Sequence, residues 1–331
     1  MKSNNYNIIE RVAAGYVMNT FNLGQYITFI SGLRIENEDN DYGSKYSPVQ
    51  TGGFPIPPDL TRDTTARHSE TIWLPNFHIN IKPTELINIR LAAYKALARP
   101  DFNYRLNTYF AWRGADVSAN KELIIGNPLL KTAQAWNYEI NTSFFGNEIG
   151  LISVSAFYKE IKDQYHLLTQ INTQGDTLIQ YLGLDWHSLH QGSYQLTVPY
   201  NSPRSTKVWG FEFEHQMNFT FLPGLLQNIV LSYNASIIRS ETFLIGSTTD
   251  TIKYFLPQFP GIPFYRYEDR PIEIRQQLEQ QPKFFGNISL GYDIDGFSGR
   301  ISVFHQSEYN LSFTPSGRGD QIVNSFTRLD L

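Results

Sequence analysis

The chain has no cysteine, which excludes a disulfide framework, thiolate-bound zinc and thiol catalysis. Charge is also scarce: Asp, Glu, Lys and Arg make up 18% of the 331 residues, against about 25% in ordinary soluble domains. The 27 Lys+Arg are outnumbered by 31 Asp+Glu, for a formal net charge of −4, so there is no basic field to attract nucleic acid. No stretch approaches the ~18 consecutive apolar residues of a membrane helix. Met1-Lys2-Ser3-Asn4-Asn5-Tyr6 runs straight into strand-like sequence, with no apolar h-region and no small-residue cleavage site. That predicts either a protein that is never exported or a chain that begins after its own start. A G-x-S-x-G elbow, a phosphate loop, an H-E-x-x-H motif and a G-x-G-x-x-G fingerprint are all missing, so the expectation is that this is not an enzyme.

Aromatic residues are abundant, at 15%, with 20 Tyr and 23 Phe. They recur in period-two alternation. Trp209, Phe211 and Phe213 alternate with Gly210, Glu212 and Glu214. Trp136, Tyr138, Ile140, Thr142 and Phe144 alternate with Asn137, Glu139, Asn141 and Ser143; Ile87, Ile89, Leu91 and Ala93 oppose Asn88, Arg90, Ala92 and Tyr94. On a helix, residues at i, i+2 and i+4 wrap around the axis, whereas on a strand they line one face. The pattern predicts about eleven strands, near 6–20, 26–38, 69–81, 86–99, 136–145, 150–166, 207–220, 226–241, 283–294, 298–310 and 322–331.

The connections alternate short and long without exception. Short ones are 22–25, 82–85, 146–149, 221–225 and the Asp295-Gly296 turn; long ones are 39–68, 100–135, 167–206, 242–282 and 311–321. Loops longer than about 12–15 residues are uncommon in a soluble sandwich and have no reason to gather at one end. Outer-membrane barrels are built this way, with short periplasmic turns and long extracellular loops. Single-chain barrels have an even number of strands, and an open edge in lipid costs several kcal/mol per unpaired group. An odd count therefore predicts an all-β chain forming part of an antiparallel transmembrane barrel. The other reading left open is a soluble, secreted β-rich carbohydrate-binding or adhesion module, in which a second sheet would bury the apolar face.

Local motifs then bring a family into view. Arg90 to Phe102, with its Arg99-Pro100 pair, is followed by Gly126-Asn127-Pro128-Leu129-Leu130-Lys131, Ala135-Trp136-Asn137-Tyr138-Glu139 and Phe157-Tyr158-Lys159-Glu160-Ile161-Lys162-Asp163. Upstream stands Gly32-Leu33-Arg34-Ile35-Glu36; downstream stand Gly210-Phe211-Glu212-Phe213-Glu214 and Phe326-Thr327-Arg328-Leu329-Asp330-Leu331. In this order the segments resemble those of TonB-dependent outer-membrane receptors. The resemblance implies a single barrel domain over 1–331, supplying about eleven strands of a 22-stranded wall, with the plug domain absent. It further implies a location in the outer membrane of a Gram-negative bacterium and partners in outer-membrane lipid and, through a plug, the inner-membrane TonB complex. The solute would be a scarce small molecule or oligosaccharide, with an iron–siderophore chelate the leading expectation. No cofactor is implied, and a passive barrel without TonB coupling is a third reading.

Candidate ligand contacts fall in the long connections, where aromatics have no membrane-interface role: Trp112, Arg113 and Trp186, joined by His187 and His190, whose imidazoles lack a third metal ligand in the sequence. Metal ligation is not expected there. Glu36, Glu38, Asp39 and Asp41 could offer oxygen ligands to calcium but read better as a surface acidic run. Trp73, Tyr94, Trp136, Tyr138, Trp209 and Phe211 read as membrane-interface girdles. Arg34, Glu36, Arg90, Glu139, Glu212 and Glu214 are expected to point into the lumen.

Overall fold

The computed structural model describes residues 6–46, 62–106, 109–112, 121–172, 194–313 and 320–331. In chain order its strands are β1 (Asn7–Leu23), β2 (Ile27–Tyr46), β3 (Arg62–Thr84), β4 (Ile87–Ala98), β5 (Tyr109–Trp112), β6 (Lys121–Ile125), β7 (Ala133–Gly146), β8 (Gly150–Lys162) and β9 (Tyr165–Asn172). They continue with β10 (Tyr194–Asn201), β11 (Thr206–Asn218), β12 (Ile229–Leu256), β13 (Phe259–Gln276), β14 (Phe284–Ile294), β15 (Phe297–Gln306), β16 (Tyr309–Ser312), β17 (Gln321–Val323) and β18 (Phe326–Asp330). The one α-helix among the described residues is the single turn α1 (Phe102–Arg105).

Eleven of these strands form a continuous antiparallel wall in the order β1-β2-β3-β4-β7-β8-β11-β12-β14-β15-β18. Each alternation read in the sequence lies on one of them, because period-two patterning is what a sheet with one face in water and the other in a different medium requires. Among the described residues the wall does not close: β1 pairs with β2 alone and β18 with β15 alone. It is a partial barrel.

Tight turns join the wall strands at one end. β14 and β15 meet at Asp295 (φ 40°) and Gly296 (φ 84°). Two successive left-handed residues make the primed turn whose twist matches a two-residue hairpin, and this is why Asp-Gly stands there.

The opposite end differs from expectation. The long connections are not plain loops. The β2–β3 hairpin keeps its pairing to Tyr46↔Arg62, and β12 rises with β13 as a two-stranded ribbon from Thr242↔Gln276 to Phe255↔Pro263. β5 and β6 form a hairpin, and β6 runs parallel to β10, which pairs with β9. In the β2–β3 extension the buried side is mostly polar, with Glu36, Glu38, Asn40, Tyr42 and Ser44, so it leaves no hydrophobic alternation, and the β12–β13 ribbon has no buried side among the described residues beyond Gly246. In the ribbon Ile252, Tyr254, Phe255, Ile262, Tyr265 and Tyr267 are all exposed, although they fall on both faces.

Candidate functional site

Register assigns each wall residue to a face, since directly paired residues point the same way. Phe77, Ala93, Tyr138, Tyr158 and Trp209 form one transverse row across five strands. Tyr138 stacks on Trp136 at 6.0 Å and lies 6.3 Å from Tyr158. From Trp136 to Phe144 this face of β7 spans nine residues, and a tilted strand needs about 9–11 to cross a bilayer. Large apolar side chains here are bare: Phe211 is 63% exposed, Leu290 53% and Ile140 47%. Among the described residues no second sheet covers them, so the soluble-module reading has no support in the fold.

The other face is polar. Asn80, Arg90, Asn141, Ser155, Glu212 and Ser236 succeed one another across six strands. They adjoin a cavity of about 670 Å³ whose lining includes His78, Arg90, Tyr94, Glu139, Asn141 and Glu214. The expected inward placement of Arg90, Glu139, Glu212 and Glu214 is found. Tyr94 is a correction: it is not in a girdle but on the inner face, stacked on His78 at 5.9 Å. Its parity with Arg90 and Ala92 carries that information. Arg90, Glu139, Glu212 and Glu214 form no ion pair among the described residues. The side-chain oxygens of Asn76, Asn80 and Asn88 are buried there without a hydrogen-bond partner. What this wall offers to whatever enters it is therefore the exposed carboxylates of Glu139, Glu212 and Glu214.

Beyond the long-connection end of the wall lies a buried polar collar. Arg105, 1% exposed, donates from Nη1 to Glu38 (2.8 Å), from Nε to the Leu130 carbonyl (2.9 Å) and from Nη2 to Thr132 Oγ1 (2.9 Å). Arg99 donates to Glu38 (2.7 Å) and Glu36 (2.6 Å). Burial alone would loosen the Arg99 proton, but its bonds to Glu36 and Glu38 outweigh this and hold its acidity below that of an ordinary guanidinium. The acidic run is thus divided, with only Asp39 and Asp41 at the surface. Glu36 and Glu38 are buried against arginines, while Asp39 pairs with Arg67 and Asp41 with Arg11. No group of three or more His, Asp or Glu residues that could hold a metal occurs among the described residues.

A second cluster continues the collar. His166 Nε2 lies 2.9 Å from Thr242 Oγ1, which is 2.6 Å from Thr206 Oγ1; His166 Nδ1 lies 3.4 Å from Glu279. Tyr200 accepts the Ile245 N–H at 3.0 Å, and burial raises its phenol well above the ordinary value, so it stays neutral.

Of the residues expected to contact ligand, Trp112 ends β5 opposite Glu122, while Arg113, Trp186, His187 and His190 lie outside the described residues. Sequence reasoning missed Arg105, Glu38 and His166 as members of the collar. Their partners of opposite charge stand 61 to 113 positions away, and no local motif announces such pairs. Arg99 and Asn127 did sit inside the motifs that carry the family resemblance.

The model of the family described as TonB dependent receptor-like, beta-barrel, matches residues 2–331. The chain belongs to that family. TonB-dependent receptors are transporters of the Gram-negative outer membrane. Among solved structures, this receptor chain is similar to the ferric yersiniabactin uptake receptor FyuA from Yersinia pestis, at 13% identity and TM-score 0.57, over 98% of this chain and 38% of that one. It is similar to a double mutant of the Serratia marcescens hemophore receptor HasR in complex with its hemophore HasA and heme, at 12% identity and TM-score 0.59, over 97% and 50% of the two chains. The copper transporter OprC matches at 10% identity and TM-score 0.58, over 97% and 39%. At such identities the likeness is one of fold. The receptor chain spans half or less of the length of these relatives. Curated protein sequences yield no match.

Proposed function

We propose that this chain is a single domain that supplies part of the wall and extracellular rim of an outer-membrane receptor taking up an iron chelate, a ferric siderophore, with energy from the TonB complex. The observation that carries this reading is the division of one wall into two faces. One is bare, apolar and rimmed by aromatics; the other is polar, with free carboxylates at Glu139, Glu212 and Glu214. A lipid-facing surface and a water-filled, plug-accepting lumen need those two chemistries on alternate residues. The acceptors on the inner face suit a plug presenting N–H groups and basic side chains. The choice of iron chelate is supported by structures of similar fold that are receptors for ferric yersiniabactin, a siderophore and ferric enterobactin. The tight turns then lie in the periplasm, and the collar with the β12–β13 ribbon lies outside the cell.

The test is deletion of the gene in its own bacterium, followed by growth on single ferric siderophores as the only iron source, with fractionation of the tagged protein. The reading expects an outer-membrane protein and loss of growth on at least one chelate, restored by the gene only when TonB is active. A soluble protein, or uptake indifferent to TonB, overturns it.

A further inference from the structure

Loops on a barrel rim are ordinarily separate excursions, each mobile by itself. Here the connections after β4 and β8 are bonded to each other and to the wall at one level. Arg105 stands where three segments converge: its own turn α1, the Glu38 carboxylate of β2, and Leu130 and Thr132 leading into β7. A buried guanidinium that loses one partner is left with an unpaid desolvation cost, so the three are held together or released together.

The link then passes outward. The Asn127 N–H donates to the Tyr104 carbonyl at 2.7 Å, and a Cβ on Gly126 would stand 1.7 Å from the Leu106 oxygen, so this close approach admits glycine only. Asn127 Nδ2 donates to the Pro199 carbonyl of β10 at 3.0 Å. The Lys131 N–H donates to Asn201 Oδ1 at 2.9 Å, while Asn201 Nδ2 returns bonds to the carbonyls of Lys131 (3.2 Å) and Asp163 (2.8 Å). Further out, Lys121–Ile124 of β6 pair in parallel with Tyr194–Thr197 of β10.

We propose that Arg105 is a positioning residue that fixes residues 126–132, in the connection after β4, and β10, in the connection after β8, as one rigid unit of the rim, so that ligand-contacting groups anchored on either of them hold a common geometry. Its value to ligand capture rests on the receptor reading above; the locking of the two connections does not. The base of the β12–β13 ribbon is tied to the connection after β8, since the Ile245 N–H donates to Tyr200 of β10, Ser202 Oγ donates to the Phe243 carbonyl at 2.9 Å and Arg204 pairs with Glu273; beyond Gly246 its ladder pairs only within itself among the described residues.

The experiment is hydrogen exchange by mass spectrometry on the receptor expressed from its whole gene and held in detergent micelles. Four forms are compared: native, Arg105→Gln, Arg105→Lys and Asn127→Ala. Loss of a buried bond in a shared network speeds exchange by about tenfold. Arg105→Gln is expected to raise exchange in 126–132 and also in β10, about 70 positions along the chain, while β7 and β8 keep their protection. Arg105→Lys preserves the charge beside Glu38 but cannot serve three separately placed acceptors, so folding yield recovers while β10 stays fast. If lysine restores β10 protection, the role is charge neutralisation and the proposal fails. If Arg105→Gln does not fold, Asn127→Ala decides: it cuts the cross-link and leaves Arg105 in place, so β10 must speed up with α1 unchanged. Unchanged β10 exchange shows two independent loops and overturns the proposal, whatever the uptake assays report.

Discussion

Ile140→Arg is the perturbation that tests the two-faced wall most quantitatively. Ile140 is the middle of the nine residues from Trp136 to Phe144, lies between Leu91 and Ala156 on neighbouring strands, and is 47% exposed. If that exposure is to hydrocarbon, an arginine there costs about 2–4 kcal/mol, falling to ~0–1 near the interfaces. At ~1.4 kcal/mol per decade this lowers the folding equilibrium by about 30-fold to about 700-fold. Exposure to water would make the same change worth about ±0.5 kcal/mol. The matched control is Ala92→Arg, which places the same side chain in the inner cavity beside Glu139 and Glu214. A third variant, Tyr138→Arg, sits nearer the aromatic edge and is expected to cost less than Ile140→Arg. Urea titration of folding into short-chain lipid vesicles, read by the shift in gel mobility between heated and unheated samples, gives all three values. Equal costs for Ile140→Arg and Ala92→Arg refute the assignment of faces.

Further outcomes concern the collar. Glu38→Ala leaves Arg105 and Arg99 without their shared carboxylate and is expected to cost about 3–5 kcal/mol, whereas Arg67→Ala, at an exposed pair, is expected to leave the midpoint close to the native one; urea midpoints of the two variants separate them. Gly126→Ala forces the chain off Leu106 and should cost about 1–3 kcal/mol, seen as faster proteolysis within 99–132. The Arg67 hydrogen bonds hold the Asp39 carboxyl below the usual carboxylate range. Because the folded value is the lower one, this pair's contribution is complete above the unfolded carboxylate pKa near ~3.9 and is lost as pH falls through the folded value. Asp39 should therefore titrate below ~3.9 by carboxyl carbon chemical shift, and return toward it in Arg67→Gln; an unmoved midpoint contradicts the pairing.

The wall was legible because one physical rule repeats on every strand. Ile140 faces one medium and Asn141 another, and the alternation survives from β2 to β15. The rim was less so. Thr242 to Leu256 pairs along its length yet has exposed aromatics on both sides, so the strand leaves no period-two trace and reads as a loop. Glu38 and Arg105 look like ordinary charged residues until folding brings positions 67 apart within 2.8 Å. Tyr94 shows that a residue type can mislead where parity does not: its place beside Arg90 and Ala92 assigns it inward, against the habit of putting tyrosine at a membrane interface. The family motifs, by contrast, proved structural: Arg99, Gly126 and Asn127 hold the collar together.

The absence of native cysteine permits the most direct measurement. Single cysteines placed in turn at positions 136 to 144 of β7 can be probed in intact outer membranes with a water-soluble maleimide, and with a fluorophore quenched by brominated lipid. The account expects the two faces to separate: 139 and 141, the accessible inner positions, label from water, while 136, 138, 140, 142 and 144 resist the maleimide and are quenched by lipid. Uniform labelling from water along the whole strand, with no quenching at 138, 140 or 142, would contradict a transmembrane wall and with it the receptor function proposed for this chain.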